Sequence, residues 1–404
     1  MRVCVVGAGL AGLAAASTLL DAGADPIVLE ARNRVGGRVW SERLANGAIV
    51  ERGAEFIEHE HTVVHAFAAR LGLRVVPTGM SYADRDPRGG LGTTRVAIRA
   101  ALARLRDVLT EHPDVARGIS LRSFLSKARL DPAACEAIAA RVQITYAHPM
   151  ADIDARVLQN ISFAPVESGR LADGNQDMAR RLADRLGNRV GLSQKVEWIS
   201  WSERSIELRT GMETIHAEAV VLAVPASVMD QIRFQPPLPA WKLSSHRAVV
   251  YGHAAKLFIP LRTAPAPSSV LFVPDLFWTW TARGSDGTVR PVVSAFAGSA
   301  PALDRLGVFR GHVEWRRRLK RLRPELDLDS AGAVLSTWSD DPLARGAYSI
   351  PTISSPRARN EALERPVGRL YFAGEHTAGT WSGLMEGAMR SGIRAARQIL
   401  APHQ

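Results

Sequence analysis

Several familiar signatures are missing from this chain of 404 residues. Its two cysteines, Cys4 and Cys135, make neither a disulfide framework nor a metal-ligating spacing, and they fit a reducing cytoplasm. Hydrophobic residues make up 46% of the chain, yet no uninterrupted apolar run is long enough for a membrane span. There is no serine nucleophile elbow, no P-loop, no internal repeat and no low-complexity tail. Lysine is scarce: Lys127, Lys195, Lys242, Lys256 and Lys320 are the only ones, so the net charge of +11 is carried almost wholly by arginine. The first residues already read as an apolar strand, so no signal or transit peptide is expected, and none of Ala401-Pro402-His403-Gln404 suggests an anchor, so none is expected there either. The expectation is a cytoplasmic protein of one large domain or two to three, with ample length for a buried core.

The first forty residues carry the strongest positive signal. Met1 to Val6 is an apolar run that breaks into Gly7-Ala8-Gly9-Leu10-Ala11-Gly12, followed by an Ala/Leu-rich helical segment to Leu20. A second apolar run, Pro26-Ile27-Val28-Leu29, ends at Glu30. This is a strand–turn–helix–strand unit suited to a dinucleotide. Gly7 permits the tight turn, Gly9 lets the backbone approach a pyrophosphate, and Gly12 lets helix and sheet pack closely. The helix N-terminus faces the phosphates, and Glu30 is placed for an adenosine ribose hydroxyl. A glycine-rich turn without a ligand is the bland alternative.

That motif alone does not separate FAD from NAD. Two further stretches do, at opposite ends of the chain: Glu30-Ala31-Arg32-Asn33-Arg34-Val35-Gly36-Gly37-Arg38 and Arg369-Leu370-Tyr371-Phe372-Ala373-Gly374-Glu375-His376-Thr377. The second continues through Gly379-Thr380-Trp381-Ser382-Gly383 into a helix from Leu384-Met385. Together they resemble the flavin-dependent amine oxidases, which include monoamine and polyamine oxidases, L-amino acid oxidases and lysine-specific histone demethylases. The resemblance covers nearly the whole chain. It implies an α/β, two-domain fold in which a Rossmann-like FAD-binding domain is interleaved with a substrate domain of mixed β-sheet plus helices. The expected FAD domain takes residues 1–77, 170–240 and 341–404; the substrate domain takes 78–169 and 241–340.

A pass along the chain agrees with such interleaving. The break Asp86-Pro87-Arg88-Gly89-Gly90-Leu91-Gly92 reads as a loop leaving the nucleotide domain. Ile98, Ala101, Leu102, Leu105, Val108 and Leu109 recur at helical spacing, and further helices are expected near 121–128 and 132–146. Three strands follow from Val196, Ser205 and Ile215, and Ala219 to Pro225 is continuous and apolar, as a doubly buried parallel strand should be.

The resemblance also implies the site. Arg32, Gly37 and Arg38 would lie by the cofactor, with Arg38 near the pyrophosphate. Gly53, Ala54, Glu55 and Phe56 would form a loop passing close to the flavin, and the backbone at Val196 would meet the adenine. Gly374, Glu375, Trp381, Leu384 and Met385 would hold the ribityl chain and pyrimidine edge. A helix opening near Ser382 would suit the flavin edge that becomes anionic on reduction. Lys256, in an apolar strand, matches the family lysine that holds a water against flavin N5; read without the resemblance it is a strand-edge lysine reaching solvent. Trp338 would pack by the flavin and Tyr348 would form one wall of an aromatic cage, where an electron-rich ring can orient an amine. Their bland alternative is an ordinary core tryptophan and a surface tyrosine.

Three departures narrow the expectation. Ala347 stands where monoamine oxidases carry the cysteine that bonds to the flavin, so FAD should be non-covalent. Leu384 replaces a second cage tyrosine, a wall left to a bulkier or less polar substrate or to another aromatic such as Trp381. Phe56 falls where many L-amino acid oxidases keep an arginine for the substrate carboxylate, which weakens an amino-acid reading, although another of the many arginines could substitute.

Weaker signals remain. The run Arg316-Arg317-Arg318-Leu319-Lys320-Arg321-Leu322-Arg323 reads as a solvated helix face; nucleic acid is not the expected partner, since no aromatics interleave with it. Glu58-His59-Glu60-His61 with His65 reads as a surface helix start and no metal is expected. Trp278 and Trp280 fit either core or cavity wall. The expected activity is amine oxidation to an imine, with hydride passing to FAD and O2 as electron acceptor, giving hydrogen peroxide. The rival readings are a flavin oxidase or desaturase acting on a carbon–carbon bond of an isoprenoid or tetrapyrrole, and a non-catalytic flavoprotein binding module. The amine itself is not legible, and a homodimer is left open.

Overall fold

The computed structural model describes residues 1–161, 165–203, 205–354 and 357–401. Pro402, His403 and Gln404, on which part of the reading of the chain end rested, lie outside them.

The strand Arg2–Val6 is the centre of a five-stranded parallel sheet, in the order Leu370–Phe372, Ala219–Leu222, Arg2–Val6, Asp25–Leu29, Val190–Gly191. Its side chains alternate between two cores: Val3 and Val5 face one, Cys4 and Val6 the other. Both faces are covered, which is why the strand reads as an unbroken apolar run. On the first face the helices Leu10–Asp21 and Met385–Leu400 pack so closely that a Cβ on Gly392 would stand 2.0 Å from the Ala11 carbonyl oxygen. On the second lies a four-stranded sheet built from Val196–Trp201, Ile206–Thr210, Thr214–Ala217 and Arg233–Gln235.

A six-stranded mixed sheet runs in the order Val334–Thr337, Ala254–Pro260, Val292–Gly298, Phe277–Thr281, Ser268–Phe272, Asp86–Arg88. Asp86–Arg88 was expected to be loop. It is instead an edge strand, parallel to Ser268–Phe272, and the edge is the position where Pro87 needs no amide hydrogen. Helices Arg95–Glu111, Leu121–Lys127 and Pro132–Tyr146 share a core with Trp278 and Trp280 from this sheet. The chain therefore forms an α/β fold with one parallel and one mixed sheet, each assembled from widely separated segments.

The basic run forms the helix Val313–Leu322, whose Trp315, Leu319 and Leu322 enter a core with the opposite side of the mixed sheet. Much of its charge is matched internally. Arg317 and Arg318 pair with Glu314, Arg318 also with Asp275, and buried Arg323 donates to Thr279 and Ser268. No helix among the described residues is long and apolar enough to cross a membrane.

Candidate active site

A cavity of about 610 Å³ draws its walls from both large sheets. At one end is the glycine turn. Gly7 adopts φ +104°, which an L side chain rarely tolerates, and its amide donates to the Leu29 carbonyl at 2.8 Å. A Cβ on Gly12 would fall 1.9 Å from the Gly7 oxygen, so Gly12 lets the helix begin against the turn. Gly9 differs: a Cβ there would meet nothing within 4 Å, because it faces the cavity. No side chain caps the helix that starts after Gly9, so its first amides remain available to an anion.

Glu30 closes this end. Its carboxylate accepts from the amides of Ala8 at 2.7 Å and Arg32 at 2.9 Å. Burial raises its pKa, with those two amides and Arg32 opposing the rise. The Arg32 side chain turns to Asp341, 2.8 Å away. Gly37 and Val196 line the same region.

In the middle, Arg38 and Glu375 face each other at 3.0 Å. Arg38 also donates to the Ala347 carbonyl, and Glu375 accepts from the amides of Ser349 and Gly383. This pair, with Glu375 buried and Arg38 partly so, thus ties three loops around the cavity. Gly53 is required beside them: a Cβ would stand 1.8 Å from the Arg38 carbonyl oxygen and 3.3 Å from Trp338. The last helix opens at Met385, slightly later than expected, with Leu384 at its uncapped N-terminus; both residues line the cavity.

Lys256 lies in a strand whose seven residues are all buried. Its Nζ donates to Glu55 Oε2 at 2.8 Å and to the Glu51 carbonyl at 2.9 Å. Glu55 accepts in addition from Trp280 Nε1 at 3.2 Å, and the Arg290 guanidinium stands 3.8 Å away. Burial alone would raise the Glu55 pKa; Lys256 and Arg290 outweigh it and hold the carboxyl below its ordinary value. Glu55, expected at the cofactor, is thereby the direct partner of Lys256, and both line the cavity.

Aromatic rings finish the wall. Trp338 donates its Nε1 hydrogen to the Arg52 carbonyl at 3.0 Å, and Tyr348 donates its hydroxyl hydrogen to the Thr145 carbonyl at 2.7 Å. Burial pushes the Tyr348 phenol well above its ordinary pKa. Phe56 packs against Tyr82 at 5.1 Å and against Trp278 and Trp280, which stack on each other at 4.1 Å. These two tryptophans are both core and cavity wall, as their alternation along a strand permits.

The cavity thus gathers Gly7, Gly9, Glu30, Arg32, Gly37 and Val196 with Arg38, Gly53, Ala54, Glu55 and Phe56. Lys256, Trp338, Tyr348, Gly374, Glu375, Leu384 and Met385 share the same wall. Gly12 and Trp381 do not. Gly12 acts through packing, and the Trp381 ring turns to His61, 6.0 Å away, and to the Arg390 guanidinium at 4.8 Å. Thr380, Ser382 and Gly383 form the wall at that point. His61 is itself buried at the cavity rather than on an open surface helix start, and burial lowers its pKa. Sequence reasoning missed Tyr82 and Arg141 in the wall. Arg141 had a signal, since it occupies the buried helical stripe of Ala134, Ala137, Ile138 and Ile144.

Known proteins share the family and the fold. The model of the family described as flavin containing amine oxidoreductase matches residues 10–134 and 151–400. The flavin-containing amine oxidase B of Bos taurus is 26% identical over 475 residues, spanning 98% of this chain and 86% of that protein. A flavin-containing amine oxidase of Danio rerio is 25% identical over 451 residues, covering 98% and 85%. Among solved structures, a putrescine oxidase bound to putrescine aligns with TM-score 0.86 at 22% identity, covering 100% of both chains. The cyclohexylamine oxidase from Brevibacterium oxydans IH-35A aligns with TM-score 0.84 at 22% identity, covering 98% of each. These structural likenesses speak for the fold; the family match speaks for a flavin, FAD. With a glycine cradle at one end, a buried lysine in an aromatic wall at the other and a family model spanning nearly all of it, the chain belongs to the flavin-containing amine oxidoreductase family.

Proposed function

We propose that this protein is an amine oxidase that binds FAD without a covalent bond and oxidises the C–N bond of an amine to an imine. The single observation behind this reading is the buried Lys256 ammonium, set in an otherwise apolar strand and lining the same cavity as Trp338 and Tyr348. The family match and the amines named for the aligned structures, putrescine and cyclohexylamine, support it.

The residues present suit FAD. Gly9 and the uncapped amides after it would take the pyrophosphate and Glu30 the ribose, while the uncapped start of the last helix at Leu384 and Met385 would face the flavin edge. Ala347 provides no thiol for a covalent link. When bound, FAD accepts a hydride at N5 and passes the electrons to dioxygen, giving hydrogen peroxide.

The chain's own residues do the rest. The aromatic wall excludes water and favours a neutral amine, whose lone pair assists hydride departure. Tyr348 and Trp338 fix the amine so that its reacting carbon is held at near-attack distance. An ammonium has three hydrogens; Lys256 spends two on Glu55 and the Glu51 carbonyl, leaving the third for a water in the cavity. The released imine is hydrolysed by water to an aldehyde or ketone.

An anaerobic absorbance titration of the holoprotein with primary, secondary, poly- and amino-acid amines tests the reading. Bleaching of oxidised flavin by one class establishes amine oxidation. If dithionite bleaches the flavin and no amine does, the reading fails. Acid precipitation tests the linkage: the flavin should remain in the supernatant.

A further inference from the structure

Among the carboxylates that line the cavity, Glu55 is the one bonded to Lys256, yet the mechanism above gives it no task of its own. Both its oxygens are held. Oε2 accepts from Lys256 Nζ at 2.8 Å; Oε1 accepts from Trp280 Nε1 at 3.2 Å and stands 3.8 Å from Arg290 Nη2. The Arg290 guanidinium is buried and anchored in turn, donating from Nη1 to the Ile49 carbonyl. An indole and a second cation thus fix the carboxylate, so it cannot swing away from Lys256.

Glu51 does not share this position. Its carboxylate accepts from Ser41 Oγ at 2.7 Å and from the Asn175 amide at 2.9 Å, so it offers Lys256 only its backbone carbonyl. Burial raises the Glu51 carboxyl toward the neutral form. Among the described residues Glu55 is the only carboxylate within ion-pair distance of Lys256. Nor does Glu55 suit the amine directly, as its anchor or its base. Both oxygens are taken, and although burial would raise its pKa, Lys256 and then Arg290 hold it below the ordinary value, which makes a poor base.

We infer that Glu55 is a positioning residue that acts through Lys256: it keeps that side chain an ammonium and aims the remaining hydrogen at the cavity water, with Arg290 fixing Glu55 from behind. A buried ammonium without a counter-charge gives up its proton more readily, and a lysine without this partner is free to turn its hydrogens elsewhere. The other charged groups around the pair are Arg290, Arg170 and Glu51. With Glu51 pushed toward neutrality, removal of Glu55 would leave Lys256 among like charges. This inference rests on the amine-oxidase reading and adds to it the residues that set Lys256.

The first test follows two half-reactions of the holoprotein by stopped flow, from about pH 6 to about pH 10. One is reduction by benzylamine, or by whichever amine of the titration above bleaches the flavin best; the other is reoxidation by dioxygen after dithionite. Glu55→Gln should slow the step that Lys256 serves by about tenfold or more, and the deficit should grow with pH. Glu55→Asp, which keeps the charge, should recover part of it. In a Lys256→Met background the Glu55→Gln change should slow neither step further, because its effect passes through Lys256. A further loss in that double variant, or a weaker apparent affinity for the amine at an unchanged rate, would overturn the inference.

The second test needs no amine. The flavin midpoint potential should fall in Lys256→Met, which loses a positive charge beside the ring that gains electrons. In Glu55→Gln it should stand above the parent at low pH, where Lys256 keeps its proton, and drop toward the Lys256→Met value at high pH, where it does not. A purely structural role for Glu55 would give one offset at every pH, and that result would overturn the inference as well. If Glu55→Gln does not hold FAD, Arg290→Gln frees Glu55 from behind and carries both comparisons, with smaller effects of the same sign. If no amine bleaches the flavin, the amine reading falls, and the potential alone decides whether Glu55 acts through Lys256.

Discussion

Lys256 Nζ stands 2.8 Å from Glu55 Oε2, joining the mixed sheet to the loop that carries Gly53 to Phe56 across 201 residues of chain. A buried pair that loses one member leaves an uncompensated charge, at a cost of about 3–5 kcal/mol. Glu55→Gln should therefore lower stability substantially, and the Glu55→Gln/Lys256→Met double variant should be less unstable than the two single losses added together. Urea denaturation of all four proteins gives that coupling. The pH dependence has a definite sign. Because the Glu55 pKa is depressed in the fold, its contribution is full above about 4.3, its unfolded value, and is lost as pH falls through the lower folded value. The acid limb of the stability profile should flatten in Glu55→Gln.

Lys256→Met should keep its yellow colour and slow the flavin's reaction by about 10²-fold, the lower range for a positioned proton donor or acceptor. A carbon–carbon desaturase would be little affected. Stopped-flow measurement of flavin reduction and reoxidation in that variant separates the two.

The glycine turn allows a cleaner separation of folding from binding. Gly9 has φ −72°, and a Cβ there would enter open cavity, so Gly9→Ala should melt like the parent without FAD and bind FAD at least about tenfold more weakly. In Gly12→Ala the new methyl would lie 1.9 Å from a backbone oxygen, and the protein should be destabilised whether or not FAD is present. Equal melting losses in both variants would refute the distinction.

The turn was legible in the sequence because its requirements are local: Gly7, Gly9, Gly12 and Glu30 act within one strand–helix–strand unit. The parallel sheet was legible for the same reason, since double burial writes itself as an unbroken apolar run in Ala219–Leu222. The Lys256–Glu55 pair was not, although each residue was singled out, because spacing says nothing about partners 201 residues apart. The direction of the Trp381 ring was hidden for a related reason: it depends on where Arg390 and His61 fall in space. In a chain so rich in arginine, composition also hides the few that are buried, and only the helical stripe around Arg141 betrays one.

Tyr348 offers a test of the aromatic wall. Tyr348→Phe removes one donor from the Thr145 carbonyl, costing about 1 kcal/mol of stability, and leaves the ring in place. Its rate of flavin bleaching should stay near that of the parent, while Tyr348→Leu should lose about three- to thirtyfold with the ring's attraction for developing positive charge. Because burial holds the phenol well above its ordinary pKa, an alkaline limb in the pH–rate profile should persist unchanged in Tyr348→Phe.

Lys242 sets a second pH dependence, one of stability rather than rate. Its side chain is fully buried, donating to the carbonyls of Ala362 and Leu363 and standing 3.6 Å from the Phe372 ring centre. Burial, then the charges of Arg394 and Arg365, bring its pKa down to about 7. In the unfolded chain the same amine titrates near 10.4, so between those two values the unfolded state holds the extra proton. Folding stability should accordingly rise with pH from about 7 to about 10, by up to about 1.4 kcal/mol per pH unit, and level off below 7. Lys242→Met should remove that slope. Denaturant titrations at pH 7, 8, 9 and 10 on both proteins decide it, and parallel stability profiles would show that the two carbonyls keep Lys242 charged in the fold.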